Sequence, residues 1–353
     1  MPTFCRHNRF IERCPICSKT LADDSPLRPR ASRSASSAKR PSSAGATRAG
    51  SPRRSPRGES LRVSREVRAQ DDGYSSALVP GLHASADAQR LAEEIAFAHG
   101  RLIALAAAPP GLYAEARELA ASDLEQATWL CFLIAYISPL DSAGEAGEAG
   151  EAGEEGEAGE NDPFAGVRMA LARVAPGELP ALDGIPLGPR TSHDPSRGSE
   201  TLGAYLNWVE RSGGSQAEAF RGDPSWTPER RFERVFERLA LPGFARMGRY
   251  DLLVTLGRLG LYDLRGGALA LVGARGLSAD DLTTTAAKRI FAIGDPLLLE
   301  RRAGALAGAI GVPVEALDLA LANWAAAQRA TLGFPADLSD HDALQRARHA
   351  LGV

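Results

Sequence analysis

The chain has 353 residues and a formal net charge of −3 at pH 7, which is compatible with one large domain or two modest ones. No run of about 18 apolar residues without a charge occurs, so no membrane span is expected. Cys5, Arg6, His7 and Arg9 lie where the apolar core of a signal peptide would be, so no secretory signal is expected either.

Three of the four cysteines lie within residues 5–17, in the pattern Cys5-x-His7-x₆-Cys14-Pro15-x-Cys17. Zinc in structural sites takes four sulfur or nitrogen ligands in a tetrahedron, and three cysteines with one histidine are a standard set. We therefore predict a structural Zn²⁺ in a knuckle at residues 1–20, with Cys5, His7, Cys14 and Cys17 as ligands. The alternative is a chance cluster of reduced thiols. Either interpretation indicates a reducing compartment, so we expect a cytoplasmic protein, with association to the nucleoid as an option.

Two segments have compositions that do not support a packed core. Residues 21–78 are predicted to be a disordered linker, because Ser25 to Gln70 contain twelve Lys or Arg against two Glu and few apolar side chains. Such a linker can hold phosphates by counterion release or act only as a spacer, and both interpretations stay open. The Gly-Glu-Ala tract at 143–162 has eight acidic residues and no basic one. A neutral loop insertion is favoured there over an acidic element that binds a partner.

Apolar residues recur at helical spacing from Ser85 onward, which predicts a mainly α domain over 79–335 and a tail or short helix at 336–353. Ser122, with Glu125 three residues later, is predicted to cap a central helix, and Asp295 is predicted to cap a later one. A short hairpin of two strands is predicted within 262–272. The predicted helices are 85–108, 112–121, 123–137, 201–212, 230–239, 249–259, 279–291, 295–310 and 313–329.

Leu241-Pro242-Gly243-Phe244-Ala245-Arg246 separates two of the predicted helices. A tight turn between helices presents backbone N–H groups that can hold a DNA phosphate. Arg246 and Arg249 would add positive charge, so Gly243, Ala245, Arg246 and Arg249 are the predicted nucleic-acid contacts, and DNA is the predicted partner. The alternative is a plain connector between two helices.

Leu241-Pro242-Gly243-Phe244-Ala245 resembles the hairpin of the helix-hairpin-helix DNA glycosylase superfamily, and the segment from Gly243 to Tyr250 resembles in particular the alpha-glutamyl/putrescinyl thymine pyrophosphorylase group. The opening Phe4-Cys5-Arg6-His7-Asn8-Arg9-Phe10 and the later Ile293-Gly294-Asp295-Pro296-Leu297 carry the same resemblance, which covers residues 1–20 and 85–335. It implies a helical glycosylase-like fold that flips bases and acts on hypermodified thymine in DNA.

The resemblance also implies residue roles. Ala245 stands where hairpins of this superfamily usually have a second glycine. Met247 stands where bifunctional glycosylases have a nucleophilic lysine, so lyase chemistry through a Schiff base is not expected. The catalytic aspartate of the superfamily lies a short distance past the hairpin, and Asp263 is the nearest match, able to stabilise a cationic sugar or to position a water. The alternative for Asp263 is a turn-capping role.

These features favour a DNA-base-processing enzyme of glycosylase type. One alternative is a non-catalytic DNA-binding module on a degenerate glycosylase scaffold, motivated by Ala245 and Met247. Another is an adaptor that docks other proteins through the zinc knuckle.

Overall fold

The computed structural model describes residues 69–141, 162–173, 179–271 and 281–353. Within these ranges there are twelve α-helices and one 3₁₀ turn, and no strand, so the prediction of a mainly α fold is confirmed. The helices are α1 (Ser85–Ala107), α2 (Leu112–Leu119), α3 (Leu124–Ile137), α4 (Ala165–Ala172), α5 (Glu200–Arg211), α6 (Gln216–Arg221), α7 (Pro228–Arg238), α8 (Arg246–Arg258), α9 (Leu282–Phe291), α10 (Pro296–Ile310), α11 (Val314–Ala325) and α12 (His341–Leu351). The predicted zinc knuckle, most of the linker and most of the Gly-Glu-Ala tract lie outside the described residues.

Helix α3 is at the centre of the core, because its sequence is apolar on every side and ten of its fourteen residues are buried. It packs against α2, α4, α6 and α8. Helix α8 in turn packs against α1, α3, α7 and α11, so it contacts helices from the early, middle and late parts of the described chain. The fold therefore places the second helix of the predicted hairpin in the interior.

The first long helix also belongs to this core. An 18-residue window within the stretch Ser85–Leu119 is long and apolar enough to cross a membrane by composition alone. In the structure, 56% of that window is buried, and α1 packs against α11 and α12. A buried helix of a folded domain accounts for this composition.

The predicted helix caps are partly correct. Asp295 caps α10 as predicted, because its side chain accepts a hydrogen bond from the N–H of Leu298 at 3.0 Å. The cap of α3 is Asp123 rather than Ser122, since the Asp123 carboxylate accepts from the N–H of Gln126. The shorter Ser122 side chain instead donates to the carbonyl of Leu119.

The strand hairpin predicted at 262–272 is absent from the part of this segment that the structure describes, residues 262–271. The N–H groups of Leu269 and Leu271, which a second strand would have paired, donate to the two carboxylate oxygens of Glu300 at 2.8 and 2.7 Å. A carboxylate from α10 therefore replaces the cross-strand partner.

Candidate active site and nucleic-acid interface

The two helices predicted on either side of Pro242 are present, with a turn between them. Helix α7 ends at Arg238 and α8 begins at Arg246, three residues earlier than the sequence predicts. Gly243 has a φ of +79°, in the left-handed region that glycine adopts without steric cost. The turn is held from outside by Thr201 at the start of α5, whose hydroxyl donates to the carbonyl of Pro242 at 3.1 Å.

One side chain anchors the turn to the core and two others face outward. Phe244 is buried and lies edge-on to Phe132 of α3, with ring centroids 5.3 Å apart. Pro242 and Ala245 are exposed, and no side chain caps the N-terminus of α8. The turn therefore has two residues at the surface, while its aromatic residue fixes it in place.

Arg246, one of the predicted DNA contacts, is buried with 6% of its surface exposed. Its Nε donates to both oxygens of Asp281, at 3.1 and 3.0 Å, and its Nη2 donates to Asp318 at 2.6 Å. Its Nη1 donates to the carbonyl of Leu269 at 2.9 Å. A cation at a helix N-terminus is disfavoured by the helix dipole, and these two carboxylates compensate for that. The geometry therefore favours a structural role, because every nitrogen of this guanidinium already has a partner.

The ion pairs of Arg246 extend into a larger buried network. Asp318 also accepts from Arg190 at 2.7 Å, and Arg190 donates to Asp251 at 2.8 and 3.2 Å. The order of contacts is Asp251, Arg190, Asp318, Arg246 and Asp281, and each of the five is less than 9% exposed. Burial favours the neutral form of Asp318, but the two guanidiniums outweigh it and lower the pKa of this carboxyl. The network ties together α8, α9, α11 and the segment before α5.

Arg249, another predicted DNA contact, is half-buried. Its guanidinium lies 4.4 Å from the ring centroid of Phe236 on α7, and its Nη1 donates to the carbonyl of Phe236 at 3.1 Å. Burial, reinforced by the nearby charge of Arg246, lowers the pKa of Arg249 to about 10. The side chain therefore packs across the two hairpin helices instead of extending from the turn.

Asp263, the predicted catalytic residue, lies in the wall of a pocket with a volume of about 610 Å³. Its side chain is 70% exposed, and one carboxylate oxygen accepts from Arg231 of α7 at 2.9 Å. Arg231 is mostly buried, and it also donates to the backbone carbonyl of Asp263 at 2.7 Å. The acid is therefore oriented by a fixed cation and is open to solvent on its other side.

The rest of this pocket combines charged and aromatic groups. Glu218 and Arg221 of α6 line it together with Tyr262. Burial raises the pKa of Tyr262 to about 12, and its hydroxyl lies 2.7 Å from the hydroxyl of Thr128. The volume lies within the range of small-molecule sites, and the acids and guanidiniums provide both acceptors and donors.

The position of α6 depends on Glu125, which the sequence predicts as a cap of its own helix. In the structure its carboxylate accepts from the N–H groups of Gln216 and Ala217, at 2.8 and 2.9 Å. Glu125 therefore caps the N-terminus of α6, a helix 91 residues further along the chain, and that prediction is wrong. The hydroxyl of Tyr205 donates to Gln216 at 2.6 Å and holds the same end of α6. These contacts fix the helix that forms one wall of the pocket.

The hairpin and the pocket lie at opposite ends of α7. Arg231 is in the first turn of this helix, whereas Pro242 and Gly243 follow its last residue. The eleven residues of α7 span about 16 Å. None of the residues 241–249 is among the described lining of the pocket.

Sequence reasoning missed Arg190, Asp281 and Asp318, which pair with Arg246. Each lies in a segment with no motif of its own, and they come together only through the packing of α8, α9 and α11. Among the described residues, no group of three or more histidine, cysteine or acidic side chains has the geometry of a metal site, and Cys131 is buried as a free thiol.

A family described as alpha-glutamyl/putrescinyl thymine pyrophosphorylase clade 3 matches residues 190–332. The matched segment begins at Arg190 and contains the hairpin, Asp263 and the whole buried network. No curated protein and no solved structure matches the chain. The predicted resemblance to the alpha-glutamyl/putrescinyl thymine pyrophosphorylase group is thus confirmed over residues 190–332.

Proposed function

We propose that this chain processes thymine-derived bases in DNA, with a glycosylase-like helical domain that binds the duplex and takes a modified base into the pocket at Asp263. The observation that carries the proposal is the family match over 190–332, since the family name refers to alpha-glutamyl and putrescinyl thymine. The same segment contains both the hairpin and the acid of the pocket.

The pocket supports this proposal by its size and its polar groups. A volume of about 610 Å³ accommodates a single extruded base with a substituent. The free oxygen of Asp263 can accept a proton or stabilise positive charge that develops on the substrate. Arg231 holds that carboxylate in one orientation, and Arg221 can pair with an anionic substituent.

The exposed turn at Pro242 supports the DNA part of the proposal. Backbone groups at a turn between two helices suit a phosphate. The DNA contacts predicted at Gly243 and Ala245 stay part of the proposal. For Arg246 and Arg249, the contacts described above favour structural roles instead.

The zinc site is a further part of the proposal. Cys5, His7, Cys14 and Cys17 form a donor set that suits a structural Zn²⁺, which would fold the knuckle and supply no chemistry. The arginines around it would add affinity for nucleic acid.

The test uses the full-length protein and a duplex oligonucleotide carrying α-glutamyl or putrescinyl thymine. After incubation, free base is measured in the supernatant, and the DNA is then digested to nucleosides so that the remaining modified thymine can be quantified by mass spectrometry. We expect loss or conversion of the modified base. Asp263→Asn should slow it by about 100-fold or more, the usual contribution of a positioned acid or base. Glu237→Gln is the control, because Glu237 is an exposed acid on α7 that pairs with Arg234 outside the pocket. Unchanged DNA, or full activity in Asp263→Asn, would contradict the proposal.

A second candidate is a DNA-binding module without catalysis. The ion pair between Asp263 and Arg231 favours it, because such a pair can connect α7 to the segment after α8 without any catalytic role. Ala245 and Met247 fit the same interpretation. This candidate predicts salt-dependent DNA binding by the wild-type protein with no change in the modified base.

A further inference from the structure

The hairpin needs a positive charge to hold a phosphate firmly, and the two arginines in its own sequence are engaged elsewhere. Arg246 is enclosed by Asp281 and Asp318, and Arg249 is stacked on Phe236. Exposing Arg246 to DNA would remove the guanidinium partner of buried Asp281 and leave Asp318 with Arg190 alone, and breaking a buried ion pair is strongly destabilising. A cation from another part of the chain is therefore a better source of charge at this turn.

Arg197 is such a cation. It ends a 3₁₀ turn, Pro195–Arg197, that precedes α5. A Cβ added to Gly243 would lie 3.1 Å from Nε of Arg197 and 2.2 Å from the hydroxyl oxygen of Thr201. The arginine side chain thus lies directly against the glycine of the hairpin. The bond from Thr201 to Pro242 fixes the two segments to one another.

The hydrogen-bonding capacity of Arg197 is largely unused. Its Nε is buried and has no hydrogen-bond partner among the described residues. Its ion pair is with Glu200, at 3.7 Å, and the Glu200 side chain is 73% exposed. An ion pair that long and that exposed contributes little, so it competes weakly with a phosphate. The Arg197 side chain is itself 37% exposed, which allows a ligand to reach it.

Two ionisable residues, His193 and Asp194, precede this arginine in the chain. Burial lowers the pKa of His193 and so disfavours its charged form, and its Nδ1 lies 3.1 Å from the hydroxyl of Tyr136. Asp194 is negative, but one of its oxygens accepts from both the N–H and the hydroxyl of Ser196, at 2.9 and 2.7 Å. Arg197 is thus the positive group at this face of the turn.

We propose that Arg197 contacts a DNA backbone phosphate at the Pro242–Gly243 turn, as a positioning residue that fixes the duplex without reading its sequence. This inference rests on the proposed function, because it needs DNA as the ligand. A guanidinium suits the contact, since its fork of donors matches two phosphate oxygens, and such contacts set register and orientation.

The test is a salt titration of DNA binding by the full-length protein. A fluorescently labelled duplex is titrated between 50 and 300 mM KCl (roughly the range in which counterion release dominates), and the slope of log K against log[salt] is compared between variants. Arg197→Gln should make the slope less negative by about 0.9, the value for one lost phosphate contact, at every DNA sequence tested. Arg197→Lys keeps the charge and should retain most of the slope. Arg234→Gln is the matched control, because Arg234 is also an exposed arginine in an i,i+3 ion pair.

The outcomes distinguish a failure of the Arg197–phosphate contact from a failure of the proposed function. If Arg197→Gln binds with the wild-type slope while the wild-type protein does bind DNA, the role of Arg197 is refuted and the proposed function stands. If the wild-type protein shows no salt-dependent binding, both are refuted. Far-UV circular dichroism and a urea transition equal to wild type show that Arg197→Gln is folded.

Discussion

Replacing Asp318 with asparagine tests the buried network, which positions the hairpin helix. Asp318 is 1% exposed and accepts from Arg190 at 2.7 Å and from Arg246 at 2.6 Å. An amide keeps the shape but removes the one carboxylate that both buried guanidiniums contact, and its NH₂ group points at a guanidinium donor, while Arg190 keeps Asp251 and Arg246 keeps Asp281. Removing one member of a buried ion pair costs about 3–5 kcal/mol. For a domain of this size we expect a fall in Tm of about 6 to 20 °C.

The assay is urea and thermal unfolding followed by far-UV circular dichroism, with Glu237→Gln as the exposed control. Glu237 pairs with Arg234 in solvent, so its loss should cost less than about 1 kcal/mol. The pKa of Asp318 is lowered, so its stabilising effect is complete above the unfolded pKa near 4 and is lost as pH falls below it. The difference between Asp318→Asn and wild type should therefore be constant from pH 5 to pH 8. A loss no larger than that of Glu237→Gln would refute the network as the support of α8.

Two further predictions concern the hairpin glycine and the metal. Gly243→Ala should lower the free energy of unfolding by about 2–4 kcal/mol, because it adds a left-handed alanine and a Cβ 2.2 Å from Thr201. Gly260 has a similar φ of +78° but open space around it, so urea titration of Gly260→Ala should show a loss of only about 1–2 kcal/mol. Equal losses for the two substitutions would contradict the close packing of Gly243. Elemental analysis of the purified protein should find about one zinc per chain. Cys14→Ser should lose this zinc, whereas Cys131→Ser should keep it. If both variants retained zinc, the predicted ligand set would be excluded.

Most of the helices and the turn could be predicted from sequence because their signals are local, whereas the short helices α4 and α6 were not predicted. Apolar spacing and the residues Pro242 and Gly243 give the hairpin without reference to the rest of the chain. The cap at Asp295 is equally local, since its partner is three residues away. The predicted start of α8 was three residues too late. The helix begins directly after Ala245, whereas the apolar spacing alone indicates a later start.

The partners of the polar side chains could not be predicted, because they come from distant segments. Glu125 has the local pattern of a capping box, yet its carboxylate caps α6. Arg246 follows an exposed turn in the sequence and looks like a surface cation, but its acids come from the start of α9 and from α11. Arg197 lies in a segment without helical periodicity, so nothing in the sequence connects it with Gly243.

The measurement that tests the central claim most directly is a single-turnover experiment with protein in excess over a duplex containing α-glutamyl or putrescinyl thymine. Under these conditions the rate reports chemistry on bound DNA rather than affinity. We predict conversion of the modified base by the wild-type protein and by Glu237→Gln, and a rate at least about 100-fold lower for Asp263→Asn at equal occupancy. Saturated DNA whose modified thymine stays intact with the wild-type protein would contradict catalysis at the Asp263 pocket.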